Sequence, residues 1–382
     1  MMRALLSFLA LVAAATSAFA GFYDTTARDL RGPPGSIIRY EILDASPSGG
    51  IAYRMLYRST GPRGEAIAVS GVAIRPRGKA PPYGREVVAW AHGTTGIARP
   101  CAPSLINSGL DDIPALALLM SRGYVVVATD YPGLGTDNQH PYLVGESEGR
   151  AILDSVRAAR GIADLAATDR FVVWGHSQGG HAALFAGQLA ARYAPDLQLM
   201  GVAAAAPATH LSVLLERDLN SVAGRILTVM AMSAWSKLYN APMQDMVAPK
   251  ELPQVERIAS RCIVSLIDQL ADLGSQKKLS PNLLTADPAV TKPWADFLEV
   301  NRPGKVLAGA PVLIAQGSSD TIVDPEVTDA FVAGLCQRGT PVRFIRYPQG
   351  SHHTVVKRSA NQTIAWLGER FAGAPVRTPC GQ

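Results

Sequence analysis

No block of five or six like charges occurs anywhere in this chain, and it carries no basic stripe and no nucleic-acid-binding motif. Lys plus Arg (36) exceeds Asp plus Glu (31), for a formal charge of +5, but the basic residues are scattered. Nucleic acid is therefore excluded as the expected partner, and a soluble basic surface is the reading. Cysteine is scarce: there are four, none in a C-x-x-C pair and none with a histidine at zinc-finger spacing, so no metal site is expected from them. Internal repeats and low-complexity tracts are also missing. Charged residues make up only 18% of the chain against 48% hydrophobic, which argues against disorder and leaves ample material for a core. A length of 382 residues suits one large domain carrying an insertion.

The first twenty residues read as a segment apart from the fold. Met1-Met2-Arg3 is a short basic start, Ala4 to Ala15 is almost wholly apolar, and Ala18-Phe19-Ala20 offers small residues where a signal peptidase reads. The apolar run is too short for a stable bilayer anchor, and no cysteine follows the cut expected after Ala20. A secreted or periplasmic protein is the expectation. In such an oxidising compartment Cys101, Cys262, Cys336 and Cys380 read as two disulfides. Of three possible connectivities, chain order and proximity favour Cys336 with Cys380 and Cys101 with Cys262.

Residues 21–80 read as an N-terminal extension of short strands, Ser36–Leu43, Ile51–Ser59 and Ala66–Ile74. From there the pattern becomes strand, loop, helix. Strands are expected at Glu86–Ala91, Tyr124–Thr129, Phe171–Trp174, Leu199–Ala205, Pro311–Gln316 and Val342–Tyr347, with helices at Gly145–Gly161 and Gln178–Tyr193. Continuous apolar runs followed by helices predict an α/β fold with a mostly parallel central sheet covered on both faces. The mostly helical stretch from about 207 to 309 is too long for a connection and is expected to form a cap or lid inserted into a single domain spanning 21–382.

The strongest local signal is Gly175-His176-Ser177-Gln178-Gly179, a G-x-S-x-G sequence between a strand and a helix. In that setting the serine sits on a strained turn that lifts its hydroxyl above the sheet, and the flanking glycines let the backbones pass. Such a turn predicts the nucleophile elbow of an α/β-hydrolase fold, with Ser177 the expected nucleophile. The serine needs a base, and the base an orienting acid, in chain order Ser, acid, His. Of seven histidines, at 92, 140, 176, 181, 210, 352 and 353, only the last two lie late enough. Both follow the strand Val342–Tyr347 and are expected ahead of the final helix, with His352 favoured as the base. For the acid, Asp320 follows the strand Pro311–Gln316, whereas Asp324 before Pro325 reads as a helix N-cap. The oxyanion donors are expected from the backbone of Gln178 and from the His92-Gly93-Thr94-Thr95-Gly96 loop, with Thr94 the candidate. Asp130 reads as structural. The apolar stripe Ile226–Met232 with Trp235, Leu238 and Tyr239 reads as the core of the cap, with an acyl tunnel or interfacial lid as the alternative.

These pieces together, with Leu56–Gly61, Cys101–Ser104 and Asp130–Gly135, resemble the secretory lipase family over nearly all of the chain after residue 20. The resemblance implies a Ser177–Asp320–His352 triad, an oxyanion hole of Thr94 and Gln178, a helical cap, the same two disulfides, and hydrolysis of carboxylic esters without metal or organic cofactor. The fungal type member of the family carries Asp where Thr94 stands, and the cap is the segment least like it, so long-chain triglyceride preference does not carry across. The expected partner is a small-molecule or lipid ester, with transient contact to a lipid interface. An acyltransferase with the same triad and a non-catalytic binding protein on the same fold are the competing readings.

Overall fold

The computed structural model describes residues 21–43, 47–106, 109–219, 221–263 and 283–376; the expected signal segment 1–20 and Cys380 lie outside the described residues. The strands are β1 (Ile37–Ile42), β2 (Gly50–Thr60), β3 (Ala66–Pro76), β4 (Arg85–Ala91), β5 (Val125–Thr129), β6 (Ala167–His176), β7 (Gln198–Ala205), β8 (Val312–Gly317) and β9 (Val342–Tyr347). They form one nine-stranded sheet in the order β1-β2-β3-β5-β4-β6-β7-β8-β9. The pairs β1/β2, β2/β3 and β3/β5 are antiparallel, and every pair from β5/β4 onward is parallel. The segment 21–80 is thus no separate extension: β2 and β3, 11 residues each, build the antiparallel flank of the same sheet.

Among the described residues the α-helices are α1 (Pro103–Ile106), α2 (Leu116–Ser121), α3 (Gly145–Arg160), α4 (Gln178–Tyr193), α5 (Leu211–Asp218), α6 (Val222–Tyr239), α7 (Leu252–Ala259), α8 (Trp294–Val300), α9 (Pro325–Gln337) and α10 (His352–Phe371). Side chains alternate along each strand, so both faces of the sheet receive apolar residues. Val87, Ala89, Phe171 and Val173 pack on one face with Ile152 and Val156 of α3 and Ala183 and Ala186 of α4. Val88, Trp90, Val172 and Trp174 pack on the other with Leu119 of α2 and Val355, Ile364 and Trp366 of α10. The sequence reads as unbroken apolar runs because neither face meets water.

Between β7 and β8, helices α5 to α8 make a cluster of their own, in which Ile226, Val229, Met230, Met232 and Trp235 pack with Val255, Ile258, Trp294 and Leu298. Tyr142, Leu143 and Val144, just before α3, join it and tie these helices to the sheet. Local capping sets the boundaries: Ser221 accepts from the Gly224 amide ahead of α6, and Asp324 accepts from the Glu326 amide at the start of α9. The Cys101–Cys262 disulfide joins the loop after β4 to the chain just beyond α7. The loops after β4, β5, β6, β8 and β9 all leave the same edge of the sheet, where ligand crevices of open α/β folds lie.

Candidate active site

Ser177 links β6 to α4 with φ 56° and ψ −117°, a conformation L-residues adopt only under constraint. The constraint is steric: a Cβ on Gly175 would overlap the Gly179 carbonyl, and one on Gly179 would overlap the Ala91 carbonyl. With glycine at both positions, β4, β6 and α4 close around the turn, and the Ser177 amide donates to the Ala205 carbonyl at 2.9 Å.

The hydroxyl meets an imidazole from the far end of the chain. Ser177 Oγ lies 2.9 Å from His352 Nε2, and His352 Nδ1 lies 2.9 Å from Asp320 Oδ2. A carboxylate can only accept, so Nδ1 carries the proton and Nε2 is left to accept from the hydroxyl. Asp320 is itself held: its Oδ1 accepts from the amides of Ile322 (2.9 Å) and Val323 (2.8 Å), and Gln316 Nε2 donates to Oδ2 at 3.1 Å. Burial raises the Asp320 carboxyl, but the hydrogen bond and charge of His352 and the two amides outweigh it, so it sits below its ordinary range.

His353 does not reach the hydroxyl; it is exposed, while His352 is 5% exposed. Both residues open α10 instead of preceding it, a correction to the sequence expectation. The reason is Ser351, whose side chain accepts from the Thr354 amide while Thr354 Oγ1 accepts from the Ser351 amide, a capping box that makes Ser351 the cap and His352 the first helical residue. His176 stands beside this pair: its Nε2 donates to the His352 carbonyl at 2.9 Å. Burial first, then the nearby His352, pushes the His176 imidazole down to about 3.

The two expected oxyanion residues flank Ser177. Gln178 is the first residue of α4, so its amide has no acceptor within the helix. Its side chain is tied back, Nε2 donating to Glu148 Oε1 (2.7 Å) and to His140 Nε2 (3.2 Å). Thr94 Oγ1 is 2.8 Å from the Tyr142 hydroxyl. Its loop is pinned by the Ile263 amide donating to the Thr95 carbonyl at 2.8 Å and by a β-bridge between Gly96 and Cys262. Tyr142, His140, Glu148 and His176 were not singled out from the sequence, since each acts through contacts between segments far apart in the chain.

Asp130 is structural, as its place in the sequence predicts. Asp130 is 1% exposed and is satisfied by Ser70, by the Ser104 hydroxyl and by the Ser104 amide at 2.9 Å. Asp137 pairs at the surface with Arg99. Of the apolar stripe, Val229 and Met232 are core, while Leu227, Thr228, Ala231 and Trp235 line a cavity that also touches Ser177. Among the described residues no group of three or more His, Cys, Asp or Glu is placed to hold a metal ion, and no helix is long and apolar enough to cross a membrane.

Comparison with known proteins gives concordant relatives. Lipase 10 of Candida albicans is 23% identical over 427 aligned positions, covering 99% of this chain and 88% of its own. A protein named probable inactive lipase from Mycobacterium tuberculosis is 24% identical, covering 93% of this chain and 82% of its own. The closed-state crystal structure of Candida antarctica lipase A superposes with a TM-score of 0.79 at 20% identity, over 94% of this chain and 88% of that one. The rice cell wall degrading esterase LipA of Xanthomonas oryzae superposes with a TM-score of 0.70 at 22% identity, over 89% and 98%. The sequence model of the secretory lipases matches residues 104–378, a span that holds Ser177, Asp320 and His352. The chain belongs to the secretory lipase family.

Proposed function

We propose that this protein is an exported serine hydrolase of carboxylic esters that works through an acyl-enzyme on Ser177. The observation that carries the reading is the unbroken chain from Ser177 Oγ to His352 Nε2 and from His352 Nδ1 to Asp320, both links at 2.9 Å. In the first half-reaction Ser177 Oγ attacks the ester carbonyl carbon, and its proton passes to His352 Nε2. Asp320 stabilises the imidazolium that forms. The carbonyl electron pair moves onto oxygen, where the amides of Thr94 and Gln178 donate to it. Collapse breaks the bond to the alcohol oxygen, which takes the proton from His352 and leaves. Water then attacks the acyl-enzyme by the same route, His352 taking and returning the proton, and the carboxylic acid departs. Each oxyanion donor contributes about 10²–10³ in rate.

One relative carries the name of an inactive lipase, which gives the non-catalytic reading a specific footing. The intact hydrogen-bonded chain here supports catalysis instead. Ser177→Ala is expected to lower p-nitrophenyl butyrate turnover by about 10³–10⁶ with the far-UV spectrum unchanged. A fluorophosphonate probe should label the parent protein at Ser177. Unchanged turnover, or no labelling, would overturn the proposal. Product analysis with an added alcohol separates hydrolysis from acyl transfer, and cleavage after Ala20 in a secreting host tests export.

A further inference from the structure

Two cavities open onto Ser177, and they differ in size and chemistry. One has a volume of about 60 Å³ and an apolar wall that includes Leu211, Leu214, Leu215, Trp235 and Leu298. The other has a volume of about 360 Å³ and is lined by Thr94, Thr95, Asp112, His353 and Lys357, with Trp90. Ser177, Leu227 and Ile322 border both, so Leu227 of α6 and Ile322 from the loop after β8 form the pinch between them.

The position of the base decides which half of an ester enters which cavity. His352 borders the large cavity and not the small one. On the serine-hydrolase reading, on which this inference rests, the leaving alcohol oxygen takes its proton from His352 Nε2, so the alcohol must occupy the large cavity. The acyl chain, on the other side of the carbonyl carbon, then points into the small apolar one. We infer that the substrate class is the short-chain carboxylic ester of a polyhydroxylated alcohol of sugar size.

Size supports the acyl half. A volume of about 60 Å³, at about 10–15 Å³ for a water-sized group, leaves room for about four to six methylene-sized groups. Longer chains meet the packed leucines of α5. Polarity supports the alcohol half. Asp112 offers an acceptor and Lys357 a donor for the hydroxyls of such an alcohol, with His353 beside them; a hydrocarbon alcohol would answer none of these groups.

The test is a two-way kinetic series on the purified full-length protein after export. Along p-nitrophenyl acetate, butyrate, hexanoate and decanoate, kcat/KM should peak at butyrate or hexanoate and fall by about tenfold or more at decanoate. Among butyrates, the glucose monoester should exceed both the glycerol monoester and the n-butyl ester, the latter by about tenfold or more. Leu227→Ala, which opens the pinch, should move the optimum to a longer chain. Asp112→Ala should shrink the ratio of glucose ester to n-butyl ester. A kcat/KM that climbs through decanoate, or an n-butyl ester handled as well as the glucose ester, would overturn this inference while leaving the hydrolase reading intact. Failure of every ester together with no fluorophosphonate labelling would overturn the hydrolase reading itself and this inference with it.

Discussion

Glu148 Oε2 and His181 Nδ1 face each other at 3.5 Å with both side chains fully buried. At that distance neither atom has a hydrogen-bond partner, while His181 Nε2 donates to the Asn301 carbonyl at 2.8 Å. The other carboxyl oxygen accepts from the Leu143 amide at 3.0 Å and from Gln178 Nε2 at 2.7 Å. Glu148 therefore ties the chain ahead of α3 to the residue that follows the nucleophile. Glu148→Ala leaves the buried Leu143 amide without a partner and Gln178 Nε2 with His140 alone, and should cost about 2–3 kcal/mol in urea unfolding. Glu148→Gln keeps both acceptor bonds and offers its amide to His181 Nδ1, so its cost should stay below about 2 kcal/mol. Because Glu148 acts by positioning, Glu148→Ala should lower kcat by about 10² with a smaller change in KM, and Glu148→Gln should restore most of it. Equal loss in the two variants would show that the charge, not the hydrogen bonds, is what the site needs.

Ser177 holds its backbone at a positive φ that glycine adopts freely. Relief of that strain is worth about 1–3 kcal/mol, partly offset by the greater freedom glycine gives the unfolded chain. Ser177→Gly should thus be more stable than Ser177→Ala by about 1 kcal/mol, although both lose turnover. Thermal unfolding of the pair checks this. Equal midpoints would mean that the turn stores no strain at this residue.

Much of this site was legible in the sequence because its signals are local. The glycines around Ser177 and the unbroken apolar run of β6 announce a strand turning sharply into a helix, and the positions of Asp320 and His352 follow from which loops leave the same sheet edge. What the sequence hid depends on contacts across distance. The 21–80 segment read as an extension because its alternation reveals strands but not partners, whereas β3 pairs with β5 between Gly71–Ile74 and Val126–Thr129. The division of the apolar stripe into core residues and cavity-lining ones could not be read from hydropathy, since Leu227 and Val229 differ only in which way α6 turns them.

His140 gives a pH dependence with a definite sign. It is 1% exposed, donates from Nδ1 to the Pro132 carbonyl at 2.8 Å, and accepts from Gln178, so it is folded as a neutral ring. Burial pushes its imidazole down to about 4 from an ordinary value of 6.5. The unfolded chain therefore binds more protons in that interval, and stability contributed by the neutral ring is present above pH 6.5 and lost as pH falls toward 4. The loss should approach about 3 kcal/mol. His140→Gln, which keeps a polar partner for Gln178 but cannot titrate, should flatten the slope of unfolding free energy over this window. An unchanged slope would assign the acid limb to other groups.

The Cys101–Cys262 bond bears on the site as well as on the fold. It closes a loop across 161 positions, and on chain-entropy grounds its loss should cost about 2–5 kcal/mol. Its placement predicts a second effect. Cys262 bridges Gly96, and the neighbouring Ile263 amide donates to the Thr95 carbonyl, so the disulfide fixes the loop that presents Thr94 beside Ser177. A Cys101→Ser/Cys262→Ser variant assayed well below its unfolding midpoint should show a lower kcat at nearly constant KM, because a misplaced oxyanion donor weakens the transition state more than the bound ester. If kcat holds while only the unfolding midpoint drops, the bond serves stability alone, and the loop keeps its shape through the hydrogen bond to Ile263.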